Sequence, residues 1–230
     1  MPDRFVFEIA PSQPISALVY AAQKSPDVPG ADISLILGHG AGAGQNSPFM
    51  VKFATALASR GIETITFNFA YTEAGRRLPD RNDRLEAAWR RMIAAGRDGE
   101  IGAGARRLAI GGKSMGGRIA SQVAAADSGG IAGLVFLGYP LHPPGRLDKL
   151  RSAHLPQIRT PMLFAQGSRD AFGTPQELAP ILEALQAPVE ICVIEDGDHS
   201  FKVRKTAPLS QPAVFDFILD AVERWLRALP

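Results

Sequence analysis

The run Gly112-Lys113-Ser114-Met115-Gly116 places a serine between two glycines in the spacing G-x-S-x-G. A serine hydroxyl is a weak nucleophile until a base takes its proton. The spacing therefore raises the question of which residues activate it. Leu108-Ala109-Ile110 precedes the motif as a short apolar strand, and the Ala-rich stretch Arg118–Ala126 follows as a helix. A sharp strand-to-helix turn of this kind lifts Oγ above a sheet. It also sets Oγ at a helix N-terminus, where the macrodipole and free N–H groups favour developing negative charge. The flanking glycines fit the same reading, because side chains there would collide with the neighbouring strand and helix. An ordinary Gly-rich turn is the bland alternative, and the flanking elements weigh against it.

The chain has four histidines, His39, His142, His154 and His199. Only His199 falls late, in Glu195-Asp196-Gly197-Asp198-His199-Ser200-Phe201, after an apolar run and before the last helical stretch. It is the expected base. His142 and His154 lie in a Pro-rich connection, where an exposed polar residue is the expectation. The expected acid is Asp170, in Gln166-Gly167-Ser168-Arg169-Asp170, which stands between the serine and the histidine in chain order. Asp148, Asp196 and Asp198 compete with it. Asp198 is a sequence neighbour of His199 and would strain to reach its ring, and Asp148 stands far past the preceding strand. With this assignment Ser114 attacks an acyl carbonyl, His199 takes its proton, and Asp170 fixes the imidazole tautomer.

Two nucleotide-binding readings fail on their spacing. Gly112-Lys113-Ser114 looks like the end of a phosphate loop, but the first glycine of that motif would fall on Arg107. Gly38-His39-Gly40-Ala41-Gly42-Ala43 matches G-x-G-x-x-A, but the next strand ends in Asn68-Phe69 and not in the acidic residue that a ribose requires. The same turn resembles the HG-containing oxyanion loop of lipases and esterases. That resemblance gives the backbone N–H of Ala41 one oxyanion contact, with the N–H of Met115 as the second. His39 then braces its loop rather than acting as a base.

These residues need elements to hold them. Strands are predicted at Phe5–Ile9, Ile15–Ala21, Ile33–Leu37, Glu63–Phe67, Arg107–Gly111, Gly133–Leu137, Met162–Ala165 and Val189–Ile194. The first two form an N-terminal hairpin at a sheet edge, and the purely apolar runs are central strands buried on both faces. Helices are predicted from Ser47-Pro48 to Arg60, from Asp80 or Asn82 to about Ala95, after Ser114, from Thr174-Pro175 to near Ala187-Pro188, and from about Gln211 to Leu229. The serine–proline and threonine–proline pairs read as a cap followed by a first-turn proline. Alternation of this kind implies a mostly parallel sheet that binds its ligand at the carboxyl ends of the strands. The connection from Pro140 to Thr160 is the one place for a lid, and its prolines argue against a large cap.

Composition bounds the partners. In 230 residues, 25 Lys and Arg nearly balance 23 Asp and Glu, so the net charge of +2 predicts no nucleic-acid or anionic-membrane partner. The pairs Arg76-Arg77, Arg90-Arg91 and Arg106-Arg107 read as solvated faces. Arg76, Arg77, Lys113 and Arg169 would bias a site toward acidic substrates, but exposed salt bridging is the preferred role. The single cysteine excludes an intrachain disulfide and fits a reducing compartment. Cys192 lies within an apolar run and reads as an inert buried thiol. No signal peptide is recognised, and no apolar run approaches the roughly 20 residues of a membrane span, so the expected location is cytoplasmic.

The order Ser, Asp, His is that of the α/β-hydrolases, and the sequence resembles that superfamily across its whole length. The phrases Gly38-His39-Gly40-Ala41-Gly42, Gly111-Gly112-Lys113-Ser114-Met115-Gly116-Gly117-Arg118, Gln166-Gly167-Ser168-Arg169-Asp170 and Gly197-Asp198-His199-Ser200-Phe201 look like a compact bacterial group. That group is related to dienelactone-hydrolase-like enzymes and to the testis-expressed (TEX-type) hydrolase-like proteins. The resemblance implies a single α/β domain over residues 1–230, with a mostly parallel sheet of about eight strands, helices on both faces and little or no cap domain. It also implies a serine hydrolase with a Ser–His–Asp triad. Acting on a small acyl substrate, an ester or thioester, such an enzyme works with no cofactor or metal. It names no substrate. Dienelactone hydrolases proper use a cysteine nucleophile, and here the residue is serine. A catalytically inactive interaction module on the same fold is the alternative.

Overall fold

The computed structural model describes residues 1–23, 30–104 and 107–230. Arg106, one of the paired arginines, lies outside the described residues. β1 (Asp3–Glu8) and β2 (Pro14–Tyr20) form the expected antiparallel hairpin at one edge, with Phe5 opposite Ala17. β2 pairs antiparallel with β4 (Glu63–Phe67). The remaining strands are parallel: β3 (Ile33–Gly38), β5 (Arg107–Lys113), β6 (Ile131–Leu137), β7 (Met162–Gly167) and β8 (Val189–Ile194). Their order across the sheet is β1-β2-β4-β3-β5-β6-β7-β8. Every residue of β3, β4 and β7 is buried. That burial is why β3 and β7 read as largely apolar runs, whereas β4 buries Glu63, Thr64 and Thr66 among its apolar residues.

Six helices cover the sheet among the described residues. α1 (Pro48–Ser59) and α6 (Gln211–Ala228) pack Phe53, Leu57, Val222 and Trp225 against Leu35, Leu37 and Val135 on one face. On the other face, α3 (Asn82–Arg97), α4 (Met115–Ala126) and α5 (Pro175–Glu183) pack Trp89, Ile119 and Leu178 against the core containing Ile36, Ile110 and Phe164. Ile36 thus faces one layer while its neighbours Leu35 and Leu37 face the other, the period of two that a strand imposes. A single turn, α2 (Ala70–Glu73), was not expected from the sequence. None of these helices is long and apolar enough to cross a membrane.

The caps divide the expectations. Thr174 makes a full capping box, its hydroxyl accepting from the Glu177 N–H while the Glu177 carboxylate accepts from the Thr174 N–H. Ser47 makes no such bond, and Pro48 alone supplies the pre-set φ at the start of α1. α3 begins with Arg81 in the cap position, not with Asp80 or Asn82. The Asp80 carboxylate is instead held 2.7 Å from Arg76 and 3.9 Å from Arg84. α5 ends at Glu183, short of the expected Ala187, and carries Pro180 within it.

β5 runs two residues further than its apolar content suggests. Gly112 still pairs with Gly38 on one side and with Phe136 on the other. β3 is flanked by β4 on one side and β5 on the other, because the chain moves outward through α1 and then returns past β3 through α3. This reversal is the switch point where such sheets bind ligands, outside the carboxyl ends of the strands. The G-x-S-x-G turn stands there, and its glycines are set by close approach. A Cβ on Gly116 would stand 2.1 Å from the Gly38 carbonyl oxygen, and one on Gly112, at φ 154°, would stand 2.2 Å from the same atom. Gly116→Val is therefore expected to lower stability by about 3 kcal/mol or more and to abolish soluble expression or raise aggregation. Thermal unfolding of any soluble fraction reads the effect. A wild-type melting temperature in that variant would mean that the approach of α4 to the end of β3 is relaxed.

Candidate active site

Ser114 follows β5 directly and has φ 51°, ψ −116°, a conformation that L-residues seldom adopt. Its backbone is tied on both sides, the N–H donating to the Leu137 carbonyl at 3.1 Å and the C=O accepting from Arg118 N–H at 3.1 Å. Oγ is thereby turned out at the start of α4, 2.8 Å from His199 Nε2. His199 Nδ1 lies 2.8 Å and 3.0 Å from the two carboxylate oxygens of Asp170. Serine, imidazole and carboxylate thus form one continuous hydrogen-bonded chain. Its polarity is set by chemistry: the carboxylate only accepts, so Nδ1 carries the proton and Nε2 is free to accept from the serine. Such a chain can deprotonate the hydroxyl as it attacks and stabilise the imidazolium that results.

Asp170 comes from the loop after β7 and His199 from the loop after β8, so the histidine loop must cross back toward β5. Gly138, at the end of β6 with φ +69°, permits that crossing. A Cβ there would stand 2.9 Å from Lys113 Nζ and 3.2 Å from the His199 carbonyl oxygen. The imidazole is also covered by Phe172, whose ring centroid is 4.2 Å away.

The rival acids are accounted for elsewhere. Asp198 accepts from the N–H groups of Ser200 and Lys202 at 2.7 Å and 2.9 Å, closing its own turn. Asp196 is paired with Arg204 and, at 2.9 Å, with Arg169. The Arg204 guanidinium bound to it holds its carboxyl down at about 2. Asp148 is exposed and bound to Arg146.

The surroundings contain two positioning residues that the sequence reading missed. Asp170 is 1% exposed, and a buried carboxylate is costly unless its oxygens are satisfied. Besides His199, it accepts from Phe172 N–H at 2.8 Å and from the Gln166 amide at 2.9 Å. Gln166 is itself locked, its Oε1 accepting from Tyr139 N–H at 2.8 Å and its Nε2 donating to the Gly173 carbonyl at 2.6 Å. A lone polar side chain closing the apolar strand Met162–Ala165 was the available signal. Lys113 is the second. It makes no ion pair among the described residues, although it lines the cleft over Ser114. Its Nζ donates to the His199 carbonyl at 2.5 Å and sits 5.0 Å from the Phe201 ring centroid. Burial pulls its ammonium down to about 8, against the opposing pull of Asp170 and Asp198.

The other histidines correct one expectation and bear out another. His142 is buried, with Nδ1 3.0 Å from the Pro143 carbonyl and Nε2 3.5 Å from Glu177. His154 is half-buried, 2.7 Å from the Ser121 hydroxyl. Neither is the exposed polar residue expected, because the connection after β6 folds back on the body and is not free in solvent. Arg151 N–H donates to the Leu141 carbonyl, and the Tyr139 hydroxyl donates to that of Arg151. His39 does brace its loop. It is fully buried, with Nδ1 2.8 Å from the Gly40 carbonyl and Nε2 accepting from Phe69 N–H at 3.4 Å. Ala43 N–H donates to the same Gly40 carbonyl at 3.2 Å. In a trans peptide C=O and N–H point in opposite directions, so anchoring this carbonyl turns the Ala41 N–H away from the anchor. Ala41 and Met115 both line a cleft of about 620 Å³ over Ser114, whose walls include Phe49, Leu85, Pro140 and Phe172. Cys192 is buried outside this cleft, and burial pushes its thiol up to about 11.

His39 also makes the fold sensitive to acid. Burial lowers it from 6.5 to about 4, so on acidification the unfolded chain takes up this proton first. The stability it confers is full above about pH 6.5 and is lost as pH falls toward 4, a change on the order of 3 kcal/mol. His154, lowered to about 4 by burial and by the nearby Arg118, adds a second share over the same range. His39→Asn keeps a donor near the Nδ1 position but cannot titrate, so denaturant unfolding from pH 7 to 4 should show a shallower loss than in the wild type. An unchanged slope would assign the sensitivity to other groups.

The fold and this geometry can be set beside known proteins. A family model described as an alpha/beta hydrolase domain matches residues 31–227. Among solved structures, a serine hydrolase without a lid from Xanthomonas campestris superposes with a TM-score of 0.70 at 22% identity, covering 100% of this chain and 97% of the other. The dienelactone hydrolase from Anabaena variabilis gives 0.70 at 17% identity over 99% and 98%. The esterase domain of a Rhodothermus marinus protein gives 0.71 at 15% identity over 100% and 99%. At these identities the structures speak to the fold, whereas the family model spans most of the sequence, and the chain belongs to the alpha/beta hydrolase family.

Proposed function

We propose that the protein is a serine hydrolase that cleaves a small acyl ester or thioester through an acyl-enzyme on Ser114. The observation that carries this reading is the unbroken hydrogen-bonded chain from Ser114 Oγ through His199 to the buried Asp170. Ser114 Oγ attacks the carbonyl carbon while His199 Nε2 accepts the hydroxyl proton. The N–H groups of Ala41 and Met115 receive the oxyanion, and loss of one such donor typically costs about 3 kcal/mol of barrier. The imidazolium then returns the proton to the leaving alkoxide or thiolate as the tetrahedral intermediate collapses. A water molecule, deprotonated by His199 in turn, releases the acid from the serine.

Ser114→Ala is expected to remove hydrolysis of activated esters and covalent labelling by a fluorophosphonate while leaving the thermal unfolding curve in place. Undiminished turnover in that variant would assign the chemistry to another group, and a wild-type protein that fails to label would leave an inactive scaffold. Asp170→Asn keeps the shape but favours the wrong imidazole tautomer, which can cost on the order of 10⁴ in turnover. Asp198→Asn and Asp148→Asn, by contrast, should change kcat by no more than about tenfold, the worth of roughly 1.4 kcal/mol. Steady-state kinetics on one ester ranks the three variants, and the reverse ranking would displace Asp170 from its role.

A further inference from the structure

The cleft over Ser114 is asymmetric in charge. Arg118 and Arg151 both line it, together with Ser114, His199 and Phe172. They come from different parts of the fold. Arg118 sits in the first turn of α4, four residues beyond Ser114 and so one helical turn along the same face. Arg151 belongs to the connection after β6, where its backbone is fixed on both sides by Leu141 and by the Tyr139 hydroxyl. The two guanidinium groups are close enough for Arg151 to depress the ionisation of Arg118, second only to burial as a cause.

Like charges placed together cost stability unless something compensates them. Arg118 has one neutral partner, the Gln122 amide oxygen at 3.3 Å. Of the nearby carboxylates, Glu86 attracts Arg118 but is bound to Arg90 at 2.7 Å. Asp80, which also lines the cleft, is held by Arg76 at 2.7 Å. No ion pair is found to Arg118 or Arg151 among the described residues. Of the arginines that the sequence offered for acidic substrates, Arg76 is engaged with Asp80 and Arg169 with Asp196, and Arg77 does not line the cleft.

We infer that Arg118 and Arg151 form an anion subsite, and that the ester cleaved at Ser114 carries a carboxylate that docks between them. The inference rests on the hydrolase reading of Ser114 and adds the class of substrate to it. Guanidinium forks match a carboxylate in geometry and bind it through paired N–H donors. The surplus of positive charge also attracts such a substrate into the cleft. The fixed backbone of Arg151 anchors the root of one fork, so the ordering cost of binding is confined to its side chain.

The test compares p-nitrophenyl half-esters of dicarboxylic acids, graded in chain length, with neutral esters of the same length. A matching pair of series carries the carboxylate on the alcohol side instead. In at least one series the best half-ester should exceed its neutral counterpart at least tenfold in kcat/KM at low salt, and added sodium chloride should shrink that ratio. Arg118→Gln and Arg151→Gln should each cut the ratio about tenfold, with Arg118→Lys and Arg151→Lys falling between. Arg146→Gln, which removes an equal charge from an exposed arginine of the same connection, should keep the wild-type ratio. Neutral esters matching or beating every charged one would overturn the subsite, as would a ratio that survives both glutamine variants. Fluorophosphonate labelling of Ser114 separates the two readings. Labelling without charge preference removes the subsite and leaves the hydrolase standing, whereas absence of both labelling and turnover removes both.

Discussion

The carboxyl end of β3 lies so close to the end of β5 and the first turn of α4 that neither Gly112 nor Gly116 has room for a side chain beside the Gly38 carbonyl. The rest of the site hangs on that contact. It lets α4 start immediately after β5, and the chain can make that turn only by holding Ser114 at φ 51°, ψ −116°. Such a conformation costs on the order of 1–3 kcal/mol and persists because its surroundings over-determine it. The Leu137 carbonyl receives the Ser114 N–H, and Trp89 donates to the Gly116 carbonyl at 3.1 Å from the far side of α4. The same approach brings the turn after β3 beside the nucleophile, so the strain at one residue positions two parts of the cleft.

A second constraint is the burial of charge beneath the cleft. Asp170 is ionisable and almost fully enclosed, and its two oxygens are met by an imidazole, a backbone N–H and a side-chain amide. The Gln166 amide is spoken for at both ends, so it cannot swing away to leave the carboxylate short of a donor. Lys113 acts on the same histidine from its backbone side through the carbonyl oxygen. His199 is therefore oriented through its ring by Asp170 and through its main chain by Lys113, and Phe172 limits its tilt. In the proposed hydrolase, serine, histidine and aspartate would carry the chemistry, and these neighbours fix the geometry in which the three meet.

The connection after β6 has more influence than its irregular sequence suggests. It contains one short 3-10 turn, Leu155–Gln157, and no cap domain. Its residues are nevertheless drawn onto the body by Tyr139, by His142 beside Glu177 and by His154 against Ser121. The segment forms part of the cleft wall, through Pro140 and Arg151, and leaves Ser114 partly exposed.

The sequence by itself determined the alternation of strands and helices, the strand-to-helix turn at Ser114 and the order of the three reactive residues. Each follows from information carried over a few neighbouring positions: the two-residue period of strands, glycines that flank a turn, and a polar residue just after an apolar run. It chose Asp170 over Asp198 and Asp148 on reach and distance along the chain but gave no argument against Asp196, because composition near a histidine says nothing about which carboxylate can reach it. Strand order decided that question, by sending the loop after β8 back across β7 and β6. Tertiary structure also decided the roles of Gln166 and Lys113, the burial of His142 and the meeting of Arg118 with Arg151. Those contacts join residues that the chain keeps far apart. A side chain's partner over such separations depends on which strands lie side by side and which loops cross their ends, and local periodicity does not encode either.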